Sequence, residues 1–129
     1  MSDGVNHTDA QRGRIGPWVE HFTDGKVAAT GTYADGEQSG EWTTYFRNGR
    51  IRSAGERRRG ALHGPWIWYR EDGGLLQVGA FVDGVQDGPW KRYHATGKLL
   101  DEGSYELGKK TGEWTTYDAT GAVTKSKRY

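Results

Sequence analysis

Gly40-Glu41-Trp42-Thr43-Thr44-Tyr45-Phe46-Arg47-Asn48-Gly49-Arg50-Ile51 is the stretch that decides the fold, because its glycines and rings return on a fixed schedule. Gly-(Pro/Glu)-Trp starts at Gly16, Gly40, Gly64, Gly88 and Gly112, a spacing of 24 residues held without insertion or deletion. Trp18, Trp42, Trp66, Trp90 and Trp114 therefore share one position, and His21, Tyr45, Tyr69, Tyr93 and Tyr117 follow three residues later. Glycines fall in register at Gly25, Gly49, Gly73, Gly97 and Gly121, and again at Gly31, Gly55, Gly79 and Gly103. Tyr33, Phe81, Tyr105 and Tyr129 form a second aromatic column. A period of this length marks a repeat architecture whose units cannot bury their apolar faces alone.

Each unit reads as a β-hairpin with a return turn. Glu41 to Phe46 is rich in aromatic and β-branched residues and too short for a helix. Asp24-Gly25, Asn48-Gly49 and Asp72-Gly73 are hairpin-turn dipeptides, while Thr96-Gly97 and Thr120-Gly121 are weaker versions of the same signal. Gly-x-x-x-Gly segments such as Gly36 to Gly40 are expected to reverse the chain. The fold class expected is all-β: an elongated, single-layer antiparallel meander of five hairpin units, about ten strands set ~4.8 Å apart. The units are 16–39, 40–63, 64–87, 88–111 and 112–129, behind a flexible, polar arm at 1–15. A lone layer needs another source of cohesion, and rings laid over Gly31, Gly55, Gly79 and Gly103 supply it, since no Cβ obstructs them. In an ideal strand Trp42 and Tyr45 face opposite sides. Either both faces carry rings or a bulge unites them.

Composition narrows the function classes. The 129 residues suffice for one domain. No Cys is present, which excludes disulfides, thiolate metal sites and Cys nucleophiles. Eighteen Lys and Arg against seventeen Asp and Glu give a net charge of +1, and nucleic acid is not an expected partner. No apolar run reaches membrane-spanning length and no signal-like stretch opens the chain, so a cytoplasmic location is the expectation. An exported protein whose signal had been removed reads the same way. His7, His21, His63 and His94 show no metal-ligand spacing, and neither a catalytic set nor a cofactor motif emerges.

The repeated pattern, carried by Gly40 to Ile51 and the matching stretches of the other units, resembles the MORN (membrane occupation and recognition nexus) repeat. The likeness is closest to its bacterial variant, which occurs in proteins described as antitoxin components of toxin–antitoxin systems. It spans about Gly16 to Tyr129. The resemblance implies a non-enzymatic structural and protein-interaction platform, with lipid headgroup binding proposed for some eukaryotic members, and brings no catalytic residues. Arg57 departs from the pattern, standing where sister units carry Tyr or Phe.

Where units differ, a partner can be read. Net charge alternates along the units as −3, +4, −3, +2 and +1, and Arg47, Arg50, Arg52, Arg57, Arg58 and Arg59 are the densest basic group. That group suits an acidic segment, an anionic headgroup or phosphate, and equally a solubilising face. Trp68 is the one Trp outside the column, in line with Thr44, Arg92 and Thr116, and reads as an exposed anchor or as a deeper patch of core. The candidate partner-binding residues are Arg50, Arg52, Arg57, Arg58, Arg59, Trp68 and Arg70. The function expected is occlusion of a protein partner's surface, with a toxin as the partner class the resemblance implies. Anionic lipid or glycan binding is the alternative. Homodimerisation through the exposed edge strands near Trp18 and Lys125 to Tyr129 is a further expectation.

Overall fold

The 24-residue register becomes strands because every stretch between turn glycines is short and rich in β-formers. A computed structural model describes residues 4–129, and these contain strands and turns only. In chain order they are β1 (His7–Asp9), β2 (Gly13–His21), β3 (Val27–Ala34), β4 (Glu37–Tyr45), β5 (Ile51–Arg58) and β6 (Ala61–Tyr69). There follow β7 (Leu75–Val82), β8 (Val85–Gln86), β9 (Gly88–Tyr93), β10 (Leu99–Glu106), β11 (Lys109–Tyr117) and β12 (Val123–Arg128). All pair antiparallel with their chain neighbours in one sheet, an open meander, with β8 and β9 both on β7.

The sheet begins ahead of Gly16, inside the segment expected as a free arm. His7, Thr8 and Asp9 pair with Ile15, Arg14 and Gly13. Asn6 explains how so polar a segment is held. Its side-chain amide donates to the Val19 carbonyl at 2.8 Å and accepts from the Val19 N–H at 2.7 Å, so one side chain stands in for a strand partner.

Two kinds of turn alternate, and their chemistry is distributed differently from the sequence reading. At Thr23-Asp24-Gly25 only Gly25 is left-handed (φ 89°), and Phe22 N–H donates to Lys26 O at 2.8 Å across a three-residue loop. Such a loop asks positive φ of one residue alone, which is why Thr96-Gly97 and Thr120-Gly121 serve as well as Asn48-Gly49. The tight two-residue turns lie at the other ends of the strands: Asp35-Gly36, Arg59-Gly60, Asp83-Gly84 and Leu107-Gly108, all eight residues at positive φ. Gly-x-x-x-Gly is therefore not a reversal throughout. Its first Gly completes the turn, and the second, as Gly40 (φ 69°), sits inside β4.

Leu107 is the misfit in this set. It takes φ 50° with 82% of its surface exposed, so it bears left-handed strain without compensating burial. Leu107→Asn is expected to stabilise the chain by about 0.5–1 kcal/mol, because Asn tolerates that region. Urea midpoints at unchanged m-value provide the check, and an unchanged or lower midpoint would remove the explanation.

Cohesion comes from ring-on-glycine contacts. Between β3 and β4 the register slips, with Thr30 opposite Thr43 but Thr32 opposite Ser39, so the Gly40 to Trp42 segment bulges over Gly31. The Trp42 ring settles there: a Cβ on Gly31 would lie 2.1 Å from its Cδ2. Trp66 over Gly55, Trp90 over Gly79 and Trp114 over Gly103 repeat the arrangement at 2.2, 2.2 and 2.1 Å. Each indole N–H also donates to a carbonyl of the strand beneath, Thr32, Glu56, Ala80 and Ser104, at 3.0–3.2 Å. Trp42, Trp66 and Trp90 are buried. Covering one such ring contributes about 4–6 kcal/mol of gross hydrophobic stabilisation, which is how one layer holds together.

Both faces carry rings. Tyr117 Oη donates to Glu102 Oε2 at 2.6 Å, and Glu102 sits cross-strand from Thr115, on the face away from Trp114. That carboxylate pushes the Tyr117 phenol above its ordinary pKa. Among the described residues, none of the ring–ring contacts involves Tyr45, Tyr69, Tyr93 or Tyr117.

Candidate functional site

On the tryptophan face the second aromatic column interleaves with the first. Ring centroids run Trp18–Tyr33 at 4.9 Å, Tyr33–Trp42 at 5.3 Å, Phe81–Trp90 at 5.2 Å, Trp90–Tyr105 at 5.7 Å and Tyr105–Trp114 at 5.1 Å, all edge-to-face. Arg14 stacks at one end, 4.7 Å from Trp18, and Lys110 at the other, 4.7 Å from Trp114. The row is interrupted at Arg57, while Trp66 reaches Phe81 only by way of Trp68. Arg57 occupies the place of Tyr33, Phe81 and Tyr105, its guanidinium 5.7 Å from Trp66 and its Nη1 donating to Gly60 O. Arg57→Phe is expected to stabilise the chain by about 1 kcal/mol by closing the row with an edge-to-face pair, to be read as a rise in the urea midpoint. A fall would mean that the guanidinium contacts outweigh a ring.

Trp68 turns this row into a site. It stands on the same face as Trp66 because two residues along a strand return to one side. Its ring lies 5.9 Å from Trp66 and 5.7 Å from Trp90, tilted about 31° and 32°, and 6.1 Å edge-on to Phe81. Half-buried, it is both packed and presented. From it a shallow groove of about 410 Å³ runs across the strands to Trp114, floored by Trp68, Phe81, Trp90 and Tyr105. Its rim is polar: Gln77, Gln86, Arg92, Asp101 and Lys110.

Arg92 and Asp101 fix the polar wall. Asp101 faces Arg92 across β9 and β10, with Nε donating to Oδ1 at 3.0 Å and Nη2 pairing with Oδ2. The carboxylate side chain is 12% exposed and the guanidinium side chain 56%, so one end of the pair is sheltered while the other meets solvent. Bidentate pairing raises the Arg92 pKa above its ordinary value. The arginine is thereby held rigid and keeps free donor capacity at the groove.

The arginines singled out in the sequence are divided. β5 runs from one edge of the sheet to the other, so Arg50 and Arg59 are separated by roughly 30 Å of strand. Arg50, Arg52 and Arg70 lie toward the three-residue-loop edge, where Arg70 Nη2 donates to Tyr93 O at 2.8 Å and Arg52 lies 5.7 Å from the Phe46 ring. Arg58 and Arg59 lie at the two-residue-turn edge. Only Arg57 and Trp68 share the aromatic face, both against Trp66. Gln77, Gln86, Asp101 and Lys110 escaped the sequence reading because Gln, Asp and Lys are ordinary surface residues. The register held one usable signal: Gln86 and Lys110 each precede a scheduled Trp by four residues, as Arg14 does.

Among the described residues no group of three His, Asp or Glu side chains is placed to hold a metal. Residues 86–107, spanning β9, β10 and the groove's polar wall, match the family model described as the MORN repeat variant. No curated protein matches the chain. The chain thus carries MORN-type repeat sequence in that stretch, and repeats of this family are generally non-catalytic modules for protein or membrane interaction.

Proposed function

We propose that the chain is a non-enzymatic protein-interaction module that receives a partner on the aromatic groove. The observation that carries this reading is the break in the repeat at Trp68, which adds an unscheduled ring beside a rigid Arg92–Asp101 pair. Aromatic and arginine side chains in half-covered sites are the residue types that dominate protein interfaces. The rim suits a partner with an apolar body and acidic edges, which Arg92 and Lys110 would pair. The groove's action in this reading is to cover a partner's surface. An antitoxin role is the specific form implied by the resemblance to bacterial relatives; it adds that the covered surface is a toxin's working face.

The test is affinity capture from source cells with wild type, a Trp68→Ala/Arg92→Ala double variant, and Thr43→Lys on the opposite face. One protein held by wild type and Thr43→Lys and lost from the double variant is the expected result. An identical set captured by all three would overturn the groove. A second reading, glycan binding, is favoured by the tilted Trp68 and Trp90 rings beside the Gln77 and Gln86 amides, a stacking floor with hydroxyl partners. Oligosaccharide-dependent shifts of tryptophan fluorescence, absent in Trp68→Ala, would place it first.

A further inference from the structure

The face opposite the tryptophans carries the Tyr117 ring and scattered apolar residues such as Val19 and Ala54, and its aliphatic side chains are densest on the β6–β7 hairpin. Ile67 lies between Trp66 and Trp68 and so projects to the other side, and it pairs across the strands with Val78, as Pro65 does with Ala80. Sister residues of Ile67 are Val19, Thr43, Lys91 and Thr115, and those of Val78 are Thr30, Ala54, Glu102 and Ser126. The stripe continues to the two-residue-turn edge through Val82 and Val85, 49% and 43% exposed. No other unit brings two branched aliphatics together at this place, and among the described residues no second layer covers them.

The charges beside the stripe say what covers it. Glu41 and Glu56 stand directly opposite each other on β4 and β5, both exposed, an arrangement that destabilises a sheet by like-charge repulsion. On the other side of the stripe Lys91, exposed and level with Val78, stands opposite Glu102, whose carboxylate accepts from Tyr117, and makes no ion pair within 4.0 Å among the described residues. A two-fold axis laid along the strands over the β6–β7 hairpin exchanges these flanks. It sets the stripe of one copy on the stripe of another and brings each Lys91, level with Val78, Ile67 and Ala54, over the partner's β5 two residues from Glu56, twice over. Sheets stacked in this way pack about 10 Å apart, within reach of both side chains. An anionic membrane fits poorly, because the carboxylate pair would face its headgroups.

We infer that the chain forms a face-to-face homodimer through Pro65, Ile67, Val78 and Ala80, with Lys91 of each copy paired to Glu56 of the other. This leaves the groove free on the two outer faces and depends in no way on the groove's occupant. The test is sedimentation velocity on the full chain over a wide concentration range. Wild type dimerises. Ile67→Lys, Glu56→Lys and Lys91→Glu each weaken dimerisation about tenfold or more, and the Glu56→Lys/Lys91→Glu double variant returns it to within a few-fold of wild type. A monomer at every soluble concentration would overturn the inference, as would a dimer indifferent to Ile67→Lys or a double variant no better than its parents. Trp68→Ala dimerises like wild type, which separates this surface from the proposed partner groove. The charge variants lie at exposed positions, and unchanged tryptophan fluorescence shows that they fold.

Discussion

Gly55→Ala is expected to lower the unfolding free energy by about 3–5 kcal/mol, the range seen when a large buried ring loses its place. The new Cβ would lie 2.2 Å from Cδ2 of Trp66 and 2.4 Å from its Cε2, so the ring cannot stay. Lifting it also breaks the 3.0 Å bond from Nε1 to Glu56 O and separates Trp66 from Trp68. Against a typical domain stability of about 5–15 kcal/mol this is a large fraction. The mechanism has a signature that simple strand weakening lacks. In a Trp66→Ala background no ring opposes the methyl group, and Gly55→Ala should then be nearly neutral, or slightly favourable because Ala restricts the unfolded chain. Urea unfolding of the four proteins closes the cycle. Equal losses in both backgrounds would mean that the glycine serves the backbone and not the ring.

Arg92→Ala is expected to destabilise by about 1–3 kcal/mol, below the 3–5 kcal/mol of a fully buried pair because more than half of the guanidinium side chain meets solvent. The loss arises mainly at Asp101, whose sheltered carboxylate would keep its desolvation without its two donors. Asp101→Ala removes the charge along with the pair and should cost less than Arg92→Ala. Arg92→Ala should in turn cost little when Asp101 is already Ala. Partner binding follows a different order: both single variants weaken it, Arg92→Ala by removing the contact and Asp101→Ala by releasing the side chain that makes it. If Asp101→Ala binds as wild type does, Asp101 is not what positions Arg92.

The layout of the sheet was legible because Trp18, Trp42, Trp66, Trp90 and Trp114 obey a strict spacing, and because the glycine eleven residues before each of the last four can accept a ring only if the strands are neighbours. What escaped the reading depended on side chains acting outside the period. Asn6 replaces a backbone partner with an amide, so the His7–Asp9 strand left no hydrophobic trace. Gly40 looks like a turn residue, and its positive φ serves a bulge within β4. The arginines near β5 are close in sequence yet divided by the length of the strand they flank. Trp68 was visible as an irregularity, whereas Gln77 and Asp101 gained meaning only when β7, β9 and β10 brought them beside it.

Trp42, Trp66, Trp90 and Trp114 each bond to backbone ten residues away, and the loops are tied to one another at separations of 22 or 23 residues, as in Gly60 N–H to Gln38 O and Asn48 to Glu71 O. Every interval is short on the scale of the chain. Assembly can therefore start at any adjacent pair of hairpins and spread by zipping, without a distant loop having to close first. Breathing runs the same course in reverse: amide exchange should be slowest beneath Trp66 and quicken toward β12, whose six residues are all exposed.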